Sequence, residues 1–164
     1  MFRNMRRSRQ ELDQKACEDI LNRGTSGVLA VLGDEDYPYA VPLSYYYEEG
    51  KVYFHCAKSG HKLDAIRKSP KASFCVIDQD RVVPEEYTTY FRSVIVFGQV
   101  RELTDAAEKR AAVLQLSRKY VPNASDSAHS AEADRFWASL CMLELVPEQI
   151  TGKQAKKLAG AAGD

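Results

Sequence analysis

Short β-rich runs separated by tight turns constrain the fold of this chain most strongly. The first three runs span residues 27–32, 39–47 and 52–56. The turn-like sequences GDED and EEG stand between them. Parallel neighbours would need crossover connections of a dozen or more residues. The three runs therefore predict an antiparallel meander.

The rest of the chain adds three strands and several helices. Apolar runs at residues 72–77, 93–103 and 140–146 predict the strands, with a bulge or close backbone approach at Gly98. Helical periodicity predicts helices at residues 11–24, 63–68 and 105–120, and a short one ending at Phe136 and Trp137; residues 79–90 and 123–130 are predicted to be loops. We expect one mainly β domain over residues 1–164: a six-stranded antiparallel barrel, closed or split, with peripheral helices.

Both ends of the chain are basic. Residues 1–10 form an arm with four arginines, Arg3, Arg6, Arg7 and Arg9, which could be a solvated tail or could contact a phosphate or a partner. Residues from about 154 to 164 are rich in Lys, Ala and Gly without an apolar period, and we expect them to be disordered.

Composition excludes several functional classes. Lys plus Arg and Asp plus Glu are both 23 and the isoelectric point is about 6.8, so no nucleic-acid partner is expected. No signal peptide or long apolar span is visible, and the four cysteines lack a metal-site or disulfide-framework spacing. These features predict a cytoplasmic protein with reduced thiols and no membrane partner.

Residues 53–63 carry the strongest chemical signal. A β-rich run ends at Gly60 and reopens as a helix that begins with His61 and Lys62. The first backbone N–H groups of a helix lack intrahelical acceptors and lie at the positive end of its dipole, so the turn suits a phosphate. Two alternatives stay open: solvated surface charges, and a metal site using His55, Cys56, His61 and Cys75, which lacks the usual ligand spacing.

Tyr45, Tyr46 and Tyr47 stand in a row and place apolar surface on both faces of one strand. A second copy of the chain would bury the second face, so we expect a homodimer.

Taken in order, several motifs resemble one known family. They are RRSR at residues 6–9, YPYAVPL at 37–43, YFHCA at 53–57, GHKLDAIR at 60–67, RSVIVFGQV at 92–100 and ITGK at 150–153. Together they resemble the nitroimidazole-resistance branch of the pyridoxamine 5′-phosphate oxidase-like flavoproteins. The resemblance covers most of the chain.

The resemblance implies an FMN-binding split β-barrel that works as a homodimer, with each flavin in a cleft between subunits. It implies that His61 and Lys62 hold the phosphate, and that the backbone of Val41, Pro42, Leu43 and Ser44 borders the flavin ring. It places His55, Cys56, Ala57, Lys58 and Ser59 along the cofactor, and Ser93 where relatives use a longer glutamine. The basic pair and the C-terminal substrate site of the vitamin B6 oxidases are not matched, so that activity is not expected.

The leading hypothesis is a flavin-dependent oxidoreductase that reduces a small nitroaromatic or quinone-like acceptor. His55 could donate a proton to the product, or it could be only a hydrogen-bonded histidine of the barrel. No G-x-G-x-x-G element follows a strand, so the sequence does not show the electron donor. Two alternatives remain: a non-catalytic module that binds flavin, haem or a deazaflavin, and a scaffold without a cofactor.

Overall fold

Antiparallel hairpins organise the sheet. Within residues 1–160, which the computed structural model describes, the strands are β1 (Glu11–Leu12), β2 (Ser26–Leu32), β3 (Pro38–Ser44), β4 (Tyr46–Glu48), β5 (Lys51–Ala57), β6 (Lys71–Val83), β7 (Thr88–Glu102) and β8 (Leu140–Gln154). They form one sheet in the order β3-β2-β6-β7-β8-β5-β4, and β1 pairs with β8. The predicted mainly β, antiparallel architecture is confirmed, and the sheet stays open, as in a split barrel.

Two local features raise the strand count above the predicted six. The run predicted at residues 39–47 is two strands, because Tyr45 interrupts it between β3 and β4. The two-residue strand β1 precedes the first helix and pairs with Gly152 and Lys153 of β8.

The loop predicted at residues 79–90 is wrong. β6 and β7 continue through this region and pair as far as Val83 with Thr88, so that Pro84–Glu86 form only the tip of a long hairpin. Pro84 is tolerated there because the tip needs no backbone donor from it. The polar side chains of this solvent-exposed ladder conceal the strand from a search for apolar alternation.

The irregularity predicted at Gly98 is confirmed. The register between β7 and β8 shifts between Phe97 and Gly98. A Cβ atom at Gly98 would clash with the carbonyl oxygen of Val146. Only glycine therefore allows the two backbones to approach this closely.

Five helices lie around the sheet in the described part of the chain: α1 (Gln14–Arg23), α2 (His61–Lys68), α3 (Ala106–Tyr120), α4 (Asp126–Phe136) and α5 (Lys156–Gly160). Asp105 is the N-cap of α3, since its carboxylate accepts the N–H groups of Ala107 and Glu108 at 2.9 Å. Ser125 caps α4 in the same way, so the loop predicted at residues 123–130 is wrong from residue 126 onward.

The C-terminal region also differs from its prediction. β8 continues to Gln154 and α5 follows, where a disordered tail was expected. The N–H of Ala155 donates to the carbonyl of Phe91, which fixes the start of this segment against β7. Residues 161–164 of the predicted tail lie outside the described part of the chain.

The core has two parts on opposite faces of β5 and β8. Inside the barrel, Phe54, Phe74 and Leu143 are fully buried together with Ile20 and Leu21 of α1. On the outer face, α3 and α4 cover a second cluster that includes Tyr46, Leu103, Ala112, Val113, Ala133 and Met142. Because side chains alternate between the two faces of a strand, β5 and β8 contribute residues to both clusters.

The run from Tyr45 to Tyr47 does not require a second copy of the chain to cover it. Tyr45 points into the barrel and is 0% exposed, whereas Tyr46 is 5% exposed and stacks on Tyr53 beneath α3. Both faces of the tyrosine run are therefore covered within a single chain. A case for a homodimer must come from another surface.

Candidate functional site

The second half of β5 has a strand neighbour on one side only. β4 pairs with β5 only through residues 51–53, whereas β8 follows β5 as far as Ala57. Across the resulting gap, β3 pairs with β2 alone. Backbone groups of residues 41–44 and 55–57 that face the gap are available to a ligand, because edge strands leave N–H and C=O groups unpaired. We call this gap the open seam.

A cavity of about 540 Å³ lies beside the open seam. This volume falls within the range typical of small-molecule pockets. Ser44, His55, Cys56 and Ala57 form its barrel side. The other walls come from α3, α4 and the start of β8, and are mostly apolar: Val113, Leu116, Ala133, Phe136, Leu140 and Met142, with Ser117, Tyr120, Glu132 and Ser139 as the polar exceptions.

His55 faces this cavity. Phe54 is 0% exposed in the barrel core, while the side chain of His55 points out of the barrel and lines the cavity wall. The interpretation of His55 as a residue of the barrel interior is therefore wrong. Its ring is placed to contact whatever binds beside the open seam.

The surroundings of His55 favour the neutral imidazole. Neighbouring protein atoms displace part of its hydration, which lowers its pKa below 6.5, and the positive charge of Lys62 lowers it further. At neutral pH the ring therefore carries one N–H donor and one acceptor.

The turn before α2 has the geometry that an anion site requires. Gly60 adopts φ +126°, which side chains rarely allow, and its carbonyl accepts the N–H groups of Leu63 and Asp64. Among the described residues, nothing accepts the backbone N–H groups of His61 and Lys62. These two donors stand at the positive end of the helix dipole.

The side chain of His61 is turned away from that position. Its ring stacks on Tyr39 with 4.2 Å between centroids, and its Nε2 accepts the N–H of Asp34 at 3.3 Å. In this arrangement His61 fixes the turn between β2 and β3 to α2. The phosphate contact predicted for its imidazole stays a prediction, and Lys62 and the backbone N–H groups are the donors left free at the start of α2.

The turn and the cavity are close enough to hold one ligand. Two residues separate Gly60 from Ala57, and the three residue steps between them span at most about 11 Å. Lys58 and Ser59 lie within this connection and are exposed. A ligand with a phosphate at the α2 terminus can thus place a ring against residues 55–57 and the edge of β3.

Ser93 is not part of this assembly within one chain. It pairs with Ile77 and Lys153, near the far end of the ladder between β7 and β8. His55 pairs with Met142 near the beginning of β8, about 35 Å away measured along that strand. A role for Ser93 at the open seam of its own chain is therefore ruled out.

The sequence interpretation missed the helical wall of the cavity. Tyr120, at the end of α3, accepts the N–H of Tyr45 through its hydroxyl at 2.9 Å. Ser117 and His129 join α3 to α4 with 2.6 Å between Oγ and Nδ1. Apolar periodicity marked α3 as amphipathic, but periodicity does not show which surface a helix covers.

The basic arm forms a separate cleft of about 730 Å³. Arg6, Arg7 and Arg9 line it with Lys156 from α5. The aromatic ring of Phe2 lies 5.6 Å from that of Phe97 on the outer face of β7. The arm is thus packed against the domain and is not simply a solvated tail.

The metal alternative finds no support in the residues described. Between Met1 and Gly160 there is no group of three or more His, Cys, Asp or Glu side chains that could hold a metal ion. His55 and His61 point to different surroundings, and Cys75 lies on the opposite side of the sheet order, on β6.

Comparison with known proteins agrees with this geometry. The chain matches the family model described as pyridoxamine 5′-phosphate oxidase over residues 13–154. It belongs to the pyridoxamine 5′-phosphate oxidase family. No curated protein matches the chain.

Solved structures share the fold. A proposed 5-nitroimidazole antibiotic resistance protein from Bacteroides thetaiotaomicron matches with a TM-score of 0.72 and 22% identity, over 88% of this chain and 86% of that one. An FAD-binding protein from Mesorhizobium loti gives 0.62 and 26%, over 88% and 95%. An FAD- and haem-binding protein from Mycobacterium smegmatis gives 0.74 and 20%, over 95% and 80%.

Among residues 1–160, no helix combines the length and apolar character needed to cross a bilayer.

The lowered pKa of His55 predicts a pH-dependent loss of stability. The unfolded chain binds a proton at His55 more readily than the folded chain does, so stability should fall as the pH drops through 6.5 and level off below the folded-state pKa. His55→Gln should remove this component. Urea unfolding of both proteins at pH 8 and pH 5 measures it, and an equal loss in both would contradict the assignment.

Proposed function

We propose that this protein is an FMN-dependent oxidoreductase that reduces a small nitroaromatic or quinone-like acceptor. The observation that supports the proposal most directly is the open seam between β3 and β5, which leads from a free helix N-terminus to an apolar cavity. Family membership adds to it, since this chain and several flavin-binding proteins share one fold.

The phosphate of FMN would bind at the start of α2. The N–H groups of His61 and Lys62 supply two donors, and the Lys62 ammonium supplies the positive charge. The ribityl chain would then follow residues 57–59 towards the open seam. Lys58 and Ser59 offer polar side chains along that path.

The flavin ring would lie against the free edge of β3. Residues Val41, Leu43 and Ser44 can present backbone groups to its polar atoms, whereas Pro42 has no N–H to donate. When bound, the flavin supplies the electron transfer, and the protein supplies binding, orientation and electrostatics. Ala57, with its small side chain, leaves room for a ring beside β5.

The acceptor would occupy the rest of the cavity, between the open seam and the helical wall. Leu116 and Phe136 suit an aromatic ring, and His55 stands where it can give a hydrogen bond or a proton to the acceptor. Since its pKa lies below 6.5, protonated His55 becomes abundant only in mildly acidic solution. The imidazole then acts as a hydrogen-bond donor at neutral pH and as a proton donor at lower pH.

We also propose a homodimer formed by the outer face of β2, β3, β6 and β7. Two complete cross-strand rows on this face carry no charged side chain: Pro42, Val28, Cys75 and Ile95 in one, and Ala40, Ala30, Ser73 and Phe97 in the other. Val28 and Ile95 remain 38% and 37% exposed in the single chain. An uncharged patch of this kind is typical of a surface that a partner covers.

Such a dimer would bring Ser93 to the cofactor of the other subunit. Ser93 follows the same alternation as Ile95 and thus lies on the outer face. Pro42 belongs both to this face and to the strand that borders the open seam. A second copy seated there would therefore adjoin the flavin, and its Ser93 could contact it.

A non-catalytic binding module is the second candidate. The observation that favours it is the likeness to a protein whose described ligands are FAD and haem. Absorbance of the purified protein separates the cases, because flavins absorb in the near-ultraviolet and blue and haem gives an intense Soret band. Mass spectrometry of the released chromophore distinguishes FMN from FAD.

Lys62→Ala should weaken FMN binding by about 10- to 150-fold, the equivalent of one charge-assisted phosphate contact of roughly 1.5–3 kcal/mol. Lys68→Ala, at the opposite end of α2, is the matched control and should leave the dissociation constant unchanged. Flavin fluorescence titration at moderate salt measures both variants. If the two variants bound FMN with equal affinity, the phosphate could not bind at the start of α2.

His55→Ala should lower nitroarene turnover by about two to four orders of magnitude at matched flavin occupancy, the usual contribution of a proton donor. Flavin affinity should change little, because His55 faces the cavity beyond the phosphate site. In the wild type, the rate of reoxidation of reduced flavin by a nitroimidazole should rise as the pH falls below 6.5. Stopped-flow rates that match between wild type and variant would exclude His55 from the reaction.

Val28→Glu should convert the dimer to a monomer, because the new carboxylate would be buried among uncharged side chains. Val82→Glu, on the exposed hairpin between β6 and β7, is the matched control and should remain dimeric. Light scattering after size-exclusion chromatography gives the masses. A wild-type monomer that retains its flavin would show that the site needs only one chain.

A further inference from the structure

Two of the four cysteines are direct partners across the sheet. Cys56 of β5 pairs with Cys141 of β8, one position before the last pair of that ladder. Side chains of directly paired residues emerge on the same face of an antiparallel sheet. The Cα separation of such pairs, about 4.5–5.5 Å, lies inside the range that a disulfide can bridge.

The thiols of Cys56 and Cys141 interact in the reduced protein. All four cysteines are free, and the interaction between Cys56 and Cys141 contributes to the pKa of both groups. The S–H of Cys141 also donates to Oε2 of Glu102 at 3.7 Å, and Glu102 is held by Arg67 with 2.6 Å between Oε1 and Nε. The pair therefore has a charged acceptor beside it.

The two cysteines differ in access and charge. Cys56 is partly exposed, whereas Cys141 is 7% exposed, and both pack against the core on the barrel side of β5 and β8. Burial raises the pKa of Cys56, but the nearby Lys62 opposes that rise, while burial and the charge of Glu102 raise the pKa of Cys141 to about 12. Cys56 is thus the more accessible of the two thiols, and Lys62 makes its ionisation less unfavourable than that of Cys141.

We propose that Cys56 and Cys141 form a redox-active dithiol that reduces low-molecular-weight disulfides reaching the exposed part of Cys56 from solvent. The Cys56 thiolate attacks one sulfur of the substrate disulfide, whose S–S bond breaks and releases one thiolate. Cys141 loses its proton to water and attacks Sγ of Cys56, which releases the second thiolate. The two thiolates take up the two protons, so two protein thiols are oxidised and one disulfide becomes two thiols.

The remaining cysteines provide an internal comparison. Cys17 is buried and its Sγ lies 4.0 Å from the carbonyl oxygen of Leu12. Cys75 pairs with Val28 and Ile95, neither of which carries a thiol. An oxidised Cys75 can therefore give only a mixed disulfide or a link between chains, whereas Cys56 has an internal partner.

Treatment of the full-length protein with bis(2-hydroxyethyl) disulfide tests the proposal. The expected wild-type product has lost two hydrogens in mass, retains two titratable thiols in denaturant, and gives a peptide that joins Cys56 to Cys141. Cys141→Ser should instead hold a stable hydroxyethyl mixed disulfide on Cys56. Cys75→Ser is the matched control and should still form the internal disulfide.

Three outcomes would overturn the proposal: four free thiols after treatment, a mixed disulfide that persists on Cys56 in the wild type, or a disulfide between other cysteines. The wild-type peptide map needs no variant, so a variant that fails to fold does not affect the result. The readout does not involve flavin, and the proposed oxidoreductase function can fail while this one stands.

Discussion

Tyr45 is the residue on which the arrangement of the site depends. It interrupts the run between β3 and β4, and its ring is fully buried against Phe74, edge to face, with 4.9 Å between centroids. Its hydroxyl donates to the carbonyl of Leu21 in α1, and its backbone N–H donates to the hydroxyl of Tyr120 in α3. One residue thus ties the barrel, the helix that caps it and the helical wall of the cavity together.

The break at Tyr45 also explains why the sheet is open where a ligand can use it. If β3 continued into β4 without a break, the free edge of β5 after Tyr53 would have a partner, and no backbone group would remain for a ligand. An exposed edge is normally a liability in β-proteins. Here the edge is short, borders a cavity and lies beside a helix N-terminus, which are the conditions under which it can bind a cofactor.

Local patterns in the sequence predicted the elements that form by local interactions. The turns at residues 33–36 and 48–50, the N-cap at Asp105 and the irregular backbone at Gly98 each follow from the chemistry of a few neighbouring residues. The start of α2 was predicted for the same reason, because Gly60 and the residues after it define a helix N-terminus without reference to the rest of the fold.

Packing between segments that are distant in the sequence determines the features that local patterns did not predict. The side chain of His61 turns towards Asp34 and Tyr39, residues that only the folded sheet brings near it. The hairpin beyond residue 78 forms because β6 and β7 pair with each other, although its polar sequence gives little sign of a strand. The helical wall escaped prediction for a related reason: α3 and α4 cover Tyr46 and Met142, whose outward direction depends on the register of β4 and β8.

The site therefore divides into two parts with different physical requirements. Residues 41–44, 55–57 and the first turn of α2 offer mainly backbone groups, so under the proposed function many side chains would be compatible with cofactor binding there. The wall from α3 and α4 presents side chains, and under the proposed function Leu116, Phe136 and Glu132 would decide which acceptor fits. The two helices are joined to each other by the Ser117–His129 contact and an Arg110–Asp134 ion pair, and to the barrel by Tyr120. Under the proposed function, substitutions of wall side chains would change the choice of acceptor, while the backbone groups of the cofactor edge stay the same.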